Sequence, residues 1–172
     1  EAIETSGAGI EGSLVVGRVL TMDPEPQKNG KTINWCSVDV GPELNAANGT
    51  GEAGQGVGIV CGAHNFKPGD KVVVILPGGV LPGDFRISAR KTYGHLSAGM
   101  ICSARELALG EDHDGIIVLP DDAPEPGTDA RDVLGLGEEV IEFEINPDRA
   151  YALSLRGIAR EAALGFGAPF HD

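Results

Sequence analysis

Cysteine is scarce, with three residues in 172. The count is odd, and Cys36, Cys61 and Cys102 each lie in an apolar neighbourhood. This fits buried free thiols in a reducing cytosol rather than a disulfide framework. Long hydrophobic runs are also missing. No stretch approaches the roughly 18 apolar residues of a membrane span, and no basic segment followed by an apolar one opens the sequence as an export signal would. A soluble, cytoplasmic protein with no membrane partner is expected, in which "NGT" at residues 48–50 is a turn rather than a glycosylation site. Positive charge is the third deficit: 13 Lys and Arg face 26 Asp and Glu, for a formal net charge of −13 and a pI of about 4.6. A dedicated nucleic-acid domain tends toward a pI above about 9. No repeat of 20–50 residues is visible. The first residue is Glu1 rather than Met, as expected of a piece of a longer chain.

Glycine and proline are abundant instead, at 26 and 11 residues, beside 41% hydrophobic residues. Such a composition points to short strands broken by many turns. "LVVGRVL" (14–20) is β-rich and is expected to stop at the prolines of "DPEP", and "INWCSVDVG" (33–41) alternates through Asn34, Cys36, Val38 and Val40. "VGIVCGA" (57–63), "DKVVVILPGG" (70–79), "DFRISAR" (84–90), "GMICS" (99–103) and "GIIVLP" (115–120) follow as further strands, which suggests a barrel or a sandwich. Residues 41–56 hold almost no large apolar side chain and are expected to form a mobile surface loop. "SARELALG" places Ser103 and Glu106 at capping-box spacing and predicts one or two helical turns closing on Gly110. The acidic, Pro-rich residues 121–132 read as a linker or strap. "VIEFEIN" (140–146) alternates as a half-buried strand, with Ile141, Phe143 and Ile145 on its apolar side. Beyond it Tyr151, Leu155, Ile158 and Ala162 make one helical stripe, with Asp148 as its cap.

Local chemistry offers little for catalysis. "GQGVG" (54–58) carries glycines in a dinucleotide-like spacing, but they precede a strand, whereas phosphate binding needs them after one and at a helix N-terminus. Cys61 and His64 in "CGAH" have metal-ligand spacing without a second pair to complete four ligands. His113 with Asp114, or Cys102 with His95, would need tertiary assembly that no local signature indicates. The charge distribution says more. Residues 61–105 contain Lys67, Lys71, Arg86, Arg90, Lys91 and Arg105 against Asp70 and Asp84, a balance of +4 in a chain that is otherwise −17. A basic face on an acidic protein is the footprint of a polyanion, or of an edge strand protected by charge.

Taken in order, "LVVGRVL", "IVCGAHN", "GDKVVVILPGGVLPGDFRI", "SAGMICSARELALG", "GIIVLPDDAP" and "PDRAYALSLRGIAREAA" resemble the N-terminal part of the β subunit of bacterial phenylalanine–tRNA ligase. The likeness runs from about Leu14 to Leu164. It implies a mainly β fold in which residues 12–135 form a tRNA-binding OB-fold, a five-stranded Greek-key barrel with short helical turns. Residues 136–172 would then supply a strand and helix of a neighbouring β-subunit domain. Ser97, Gly99 and Met100 match the family's Ser-x-Gly-Met signature, and Arg86, Arg90 and Lys91 match the basic residues before it. By that resemblance these residues flank the binding groove, with Tyr93 and His95 as the rings available to stack on bases. The implied partners are tRNA, not DNA, together with the α subunit and the remaining β-subunit domains. The chain itself is expected to be non-catalytic and without a cofactor; ATP and magnesium serve the parent enzyme elsewhere. The alternatives are a structural module that helps assemble the synthetase with little RNA contact, or a free-standing tRNA-binding protein.

Overall fold

The computed structural model describes residues 2–5, 9–49, 55–112, 114–137 and 139–171. The chain divides into two compact units, Thr5–Glu138 and a smaller one formed by Glu1–Glu4 with Glu139–Asp172.

The larger unit is a nearly closed antiparallel barrel. Its strands are β2 (Leu14–Pro26), β3 (Thr32–Asp39), β4 (Val57–Cys61), β5 (Lys71–Ile75), β10 (Met100–Ile101) and β11 (Val118–Leu119), where β1 (Ala2–Thr5) precedes them. The hydrogen-bonded order is β10-β5-β2-β3-β4. β10 and β11 lie along the same edge of β5, against Val74–Ile75 and Lys71–Val72 respectively, so together they fill the fifth position of a five-stranded barrel. Closure comes at the far edge. Ala98 N donates to Gly58 O at 2.9 Å, which joins β4 to the chain that runs directly into β10. These are the features of the predicted OB-fold.

β2 and β5 read as continuous apolar runs because both of their faces are buried. Val15, Val19, Val72 and Val74 point into the barrel with Cys36, Val38, Val57 and Ile59. Leu14, Val16, Val73 and Ile75 point outward into a second cluster with Leu81, Cys102, Leu107 and Leu119. Each such side chain contributes about 1.5–3 kcal/mol on burial, so the outer cluster holds the surrounding loops as firmly as the inner one holds the strands.

Several elements differ from the sequence expectation. β2 does not stop at its prolines. It shifts register between Val19 and Thr21 and then pairs only with β3 as far as Pro26, with Pro24 opposite Asn34 and Pro26 opposite Thr32. Among the described residues no strand pairs with its other edge there, and an edge tolerates a residue without an N–H. Residues 42–48 are not a loop but α1 (Pro42–Asn48). Asn45 fixes its start, donating from Nδ2 to Asp39 Oδ1 at 2.7 Å and accepting from Val40 N at 2.9 Å. Leu44 packs on the inner core. Residues 50–54 of the expected loop, Thr50 of "NGT" among them, lie outside the described residues. "DFRISAR" splits into β7 (Phe85–Arg86), which pairs with β6 (Val80–Leu81), and β8 (Arg90–Thr92), which pairs with β9 (His95–Ser97). The capping box forms, with Glu106 Oε2 accepting from Ser103 N at 2.6 Å, yet no helix follows. The segment closes as turns at Ala108, whose φ is +54°, rather than at Gly110.

Residues 121–129 are a strap laid on the barrel. Val16 of β2 pairs with it through two backbone bonds of 2.9 Å, its N donating to Thr128 O and its O accepting from Gly127 N. It leads into α2 (Ala130–Val133), capped by Asp129.

In the smaller unit β1 pairs with β12 (Glu139–Glu142). The strand ends earlier than predicted and Phe143 beyond it is exposed, while the side chains of 139–142 lie outside the described residues. The predicted single helix is two elements. A 3₁₀ stretch (Pro147–Leu153) is followed by α3 (Leu155–Phe166), whose cap is Ser154, accepting from Gly157 N, and not Asp148. The stripe of Tyr151, Leu155, Ile158 and Ala162 is therefore broken: Tyr151 belongs to the 3₁₀ stretch, and Leu155 is 89% exposed.

Candidate nucleic-acid interface

Two hairpins and the start of β10 build one face of the barrel. The β6–β7 turn reverses at residues 82–84, where Gly83 and Asp84 both have positive φ, a conformation that Asp tolerates better than most side chains. Asp84 Oδ1 accepts from Arg86 Nη2 at 2.9 Å, holding this exposed guanidinium beside the turn. The preceding Phe85 points out of the barrel and is 49% exposed.

The β8–β9 hairpin carries Arg90 and Lys91 on one strand, opposite Ser97 and Leu96. Its two-residue tip, Tyr93–Gly94, has φ of +52° and +91°, the pattern of the hairpin turn that matches strand twist. Glycine meets that demand freely and tyrosine at a cost of about 1 kcal/mol. The tip thus presents a half-exposed aromatic ring on a defined backbone. His95 anchors the hairpin: its ring stacks on Trp35 with centroids 4.2 Å apart at 14°, and its Nε2 lies 2.9 Å from Glu25 Oε1.

The signature residues make structural contacts. Ser97 is buried, its Oγ accepting from Val60 N at 3.1 Å and donating to Gly99 O at 3.3 Å. Gly99 has φ +142°, and a Cβ there would stand 2.9 Å from Ile75 O, so the position excludes a side chain. Met100 pairs with Ile75 and packs on the outer core.

Of the eight residues singled out from the sequence, Arg86, Arg90, Ser97, Gly99 and Met100 line one hollow of about 110 Å³. Lys91, Tyr93 and His95 belong to the adjoining hairpin and do not line it. His95 is not a free ring, since one face is covered by Trp35 and its edge faces Glu25. Lys71 leaves the basic patch: it is only 7% exposed, and its Nζ donates to Asp121 O at 3.1 Å, to Ala123 O and to Glu125 Oε1 at 3.4 Å. Without buried Lys71 the balance of residues 61–105 is +3 rather than +4, five exposed basic side chains against exposed Asp84 and half-buried Asp70. Phe85 is the residue that sequence reasoning missed. "DFRISAR" reads only as a strand, and the exposure of the ring follows from the short β6–β7 pairing that the sequence does not announce.

The other motifs resolve into packing. Gly56 is buried, and a Cβ on it would lie 2.7 Å from Val38 O, so it serves close strand approach. His64 Nδ1 takes a bond from Asn34 Nδ2 at 3.2 Å. Among the described residues no three His, Cys, Asp or Glu side chains gather where they could hold a metal ion. Cys102 is fully buried, and burial, first, with the nearby Glu106 charge pushes its thiol well above the ordinary range. His113 lies outside the described residues. No helix among them is long and apolar enough to cross a membrane.

The chain resembles known proteins over its whole length. The chain is 60% identical over 172 residues to the phenylalanine–tRNA ligase β subunit of Thermobifida fusca, and that match covers all of this chain and 20% of the relative. It is 55% identical over 173 residues to the β subunit of Streptomyces avermitilis and 50% identical over 179 to that of Cutibacterium acnes, again over the whole chain. The chain thus spans about a fifth of the length of these relatives. Residues 14–129, most of the barrel unit, match the family described as "Putative tRNA binding domain", and the chain belongs to that family.

Proposed function

We propose that the chain is a non-catalytic tRNA-binding module of a phenylalanine–tRNA ligase β subunit, and that it meets tRNA through the face carrying Arg86, Arg90 and Lys91. The observation that supports this is the exposed guanidinium and ammonium cluster on two short hairpins of an otherwise acidic protein. Lys and Arg on exposed strands bind phosphates without reading sequence, and each phosphate neutralised releases counterions. In this reading Ser97 and Gly99 shape the backbone under the groove and do not touch RNA themselves.

The parent would attach phenylalanine to its tRNA in the cytoplasm with ATP and magnesium, at sites outside this chain. Its α subunit and the remaining β-subunit domains would be the protein partners. Residues 136–172 would form part of one such neighbouring domain. An assembly role for those residues is favoured by Leu155 and Phe166, 89% and 88% exposed, which need a cover.

Fluorescence anisotropy with an unmodified tRNA transcript tests the RNA role. Affinity is expected to fall steeply with salt. Arg90→Glu with Lys91→Glu should weaken binding and flatten the salt slope by about one unit for each phosphate that is no longer neutralised. Absence of binding at low salt would refute the proposal.

A further inference from the structure

The hollow lined by Arg86 and Arg90 does not end at that cluster. It shares Val60, Phe85 and Met100 with a larger hollow of about 700 Å³ that continues past Leu81 and Ile116. That volume lies within the roughly 300–1,000 Å³ of clefts that enclose a small organic molecule. Most of its lining residues are apolar, Phe85 is shared by the two hollows with its ring exposed, and Ser103, Arg105, Glu106 and Asp114 supply the polar part of the larger one. Arg86 and Arg90 thus line the smaller hollow, and Arg105 lines the larger one.

We propose, resting on the tRNA-binding reading, that this hollow takes an unpaired base of the RNA, stacked on Phe85, while the backbone beside that nucleotide crosses Arg86 and Arg90. A duplex could not use such a site. Its bases are stacked and paired inside the helix, and it presents phosphates and hydroxyls that an apolar wall would leave without partners. An unstacked base has two apolar faces to bury and a polar edge, which suits a ring beside a cation-lined entrance.

The carboxylates of the larger hollow refine the choice. Glu106 is pinned by Ser103, whose N and Oγ both donate to Oε2 at 2.6 and 2.8 Å. Asp114 is exposed beside it in the lining. Neither carboxylate welcomes a phosphate, and both are acceptors, so the base edge reaching them should offer a donor. An exocyclic amino group, as on cytosine, supplies one where uracil presents a carbonyl.

The test uses the whole 172-residue chain with labelled oligocytidylate, oligouridylate, a fully paired RNA duplex and the tRNA transcript, titrated at one low salt concentration. Single strands should bind more tightly than the duplex. Phe85→Ala should weaken oligocytidylate and tRNA binding about ten-fold, within the range for removal of one base stack, while changing duplex binding less than about two-fold. Phe85→Trp should restore binding, which separates stacking from any effect on folding. Cytidylate should be favoured over uridylate about five-fold, and Asp114→Ala should reduce that preference.

An unchanged affinity in Phe85→Ala, or a duplex that binds as tightly as the single strands, overturns the base pocket. The phosphate-binding reading then stands or falls separately on the Arg90→Glu, Lys91→Glu pair. Equal binding of the two oligonucleotides overturns the amino-group selection. Oligonucleotide binding that depends on Phe85 without any binding of tRNA would uphold the pocket and remove tRNA as its source.

Discussion

Cys36, Cys61 and Cys102 show how burial alone fixes a residue's chemistry. Desolvation disfavours each thiolate, and it pushes Cys36 from 9.0 up to about 12, with neighbouring Cys61 and Asp23 adding to the effect. Cys61 and Cys102 are raised for the same leading reason. Because the folded pKa exceeds the unfolded one, folding holds these protons. The associated stability is complete below about pH 9, and it diminishes as pH rises from there toward the folded values, where the unfolded chain ionises first. The urea midpoint should therefore decline between about pH 9 and 12. A disulfide reagent at about pH 8 should find no fast-reacting thiol in the native chain and all three after denaturation. One rapidly labelled native cysteine would contradict the burial argument. The apolar surroundings of these cysteines were readable in sequence. The roles of Ser97, His95 and Lys71 were not, because their partners Val60, Glu25 and Asp121 lie 37, 70 and 50 residues away and meet them only when the barrel closes.

Among the elements, turn chemistry and alternation located the strands, while pairing decided where they ended. β2 outlasts two prolines because no described strand pairs with its outer edge there, and α1 replaces a loop because Asp39 and Asn45 secure a first turn that composition does not advertise. The strap at 121–129 was legible as an acidic, proline-rich segment, but not its attachment. Buried Lys71 receives it, satisfying the carbonyls of Asp121 and Ala123 at once. Lys71→Met keeps the stem and removes the donors, leaving the buried Ala123 carbonyl without a partner at about 1–3 kcal/mol and the partly exposed Asp121 carbonyl at about 1 kcal/mol. The expected destabilisation is about 2–4 kcal/mol in urea unfolding, with early proteolysis within the strap. A change below about 0.5 kcal/mol would show that water replaces the ammonium. The exposed pair of Arg18 with Glu125 at 3.2 Å should matter far less, since surface ion pairs contribute about 0–1 kcal/mol.

For the molecule as a whole, the two units face different demands. The barrel buries two apolar clusters within Thr5–Glu138 and completes its own hydrogen-bond ring. The smaller unit leaves Leu153, Leu155, Leu164 and Phe166 at 73–89% exposure along a short stretch of chain. Each of these retains most of the surface that folding would otherwise remove from water, so the unit gains little from its own core. Stability should accordingly reside in the barrel. A protein comprising residues 9–137 should unfold in one cooperative transition with a midpoint within about 5 °C of the full chain, a shift equivalent to roughly 1 kcal/mol at this size. It should also bind less of an apolar-surface dye and retain RNA binding. Unfolding of the shortened protein at ambient temperature would mean that the barrel's closure depends on residues outside it.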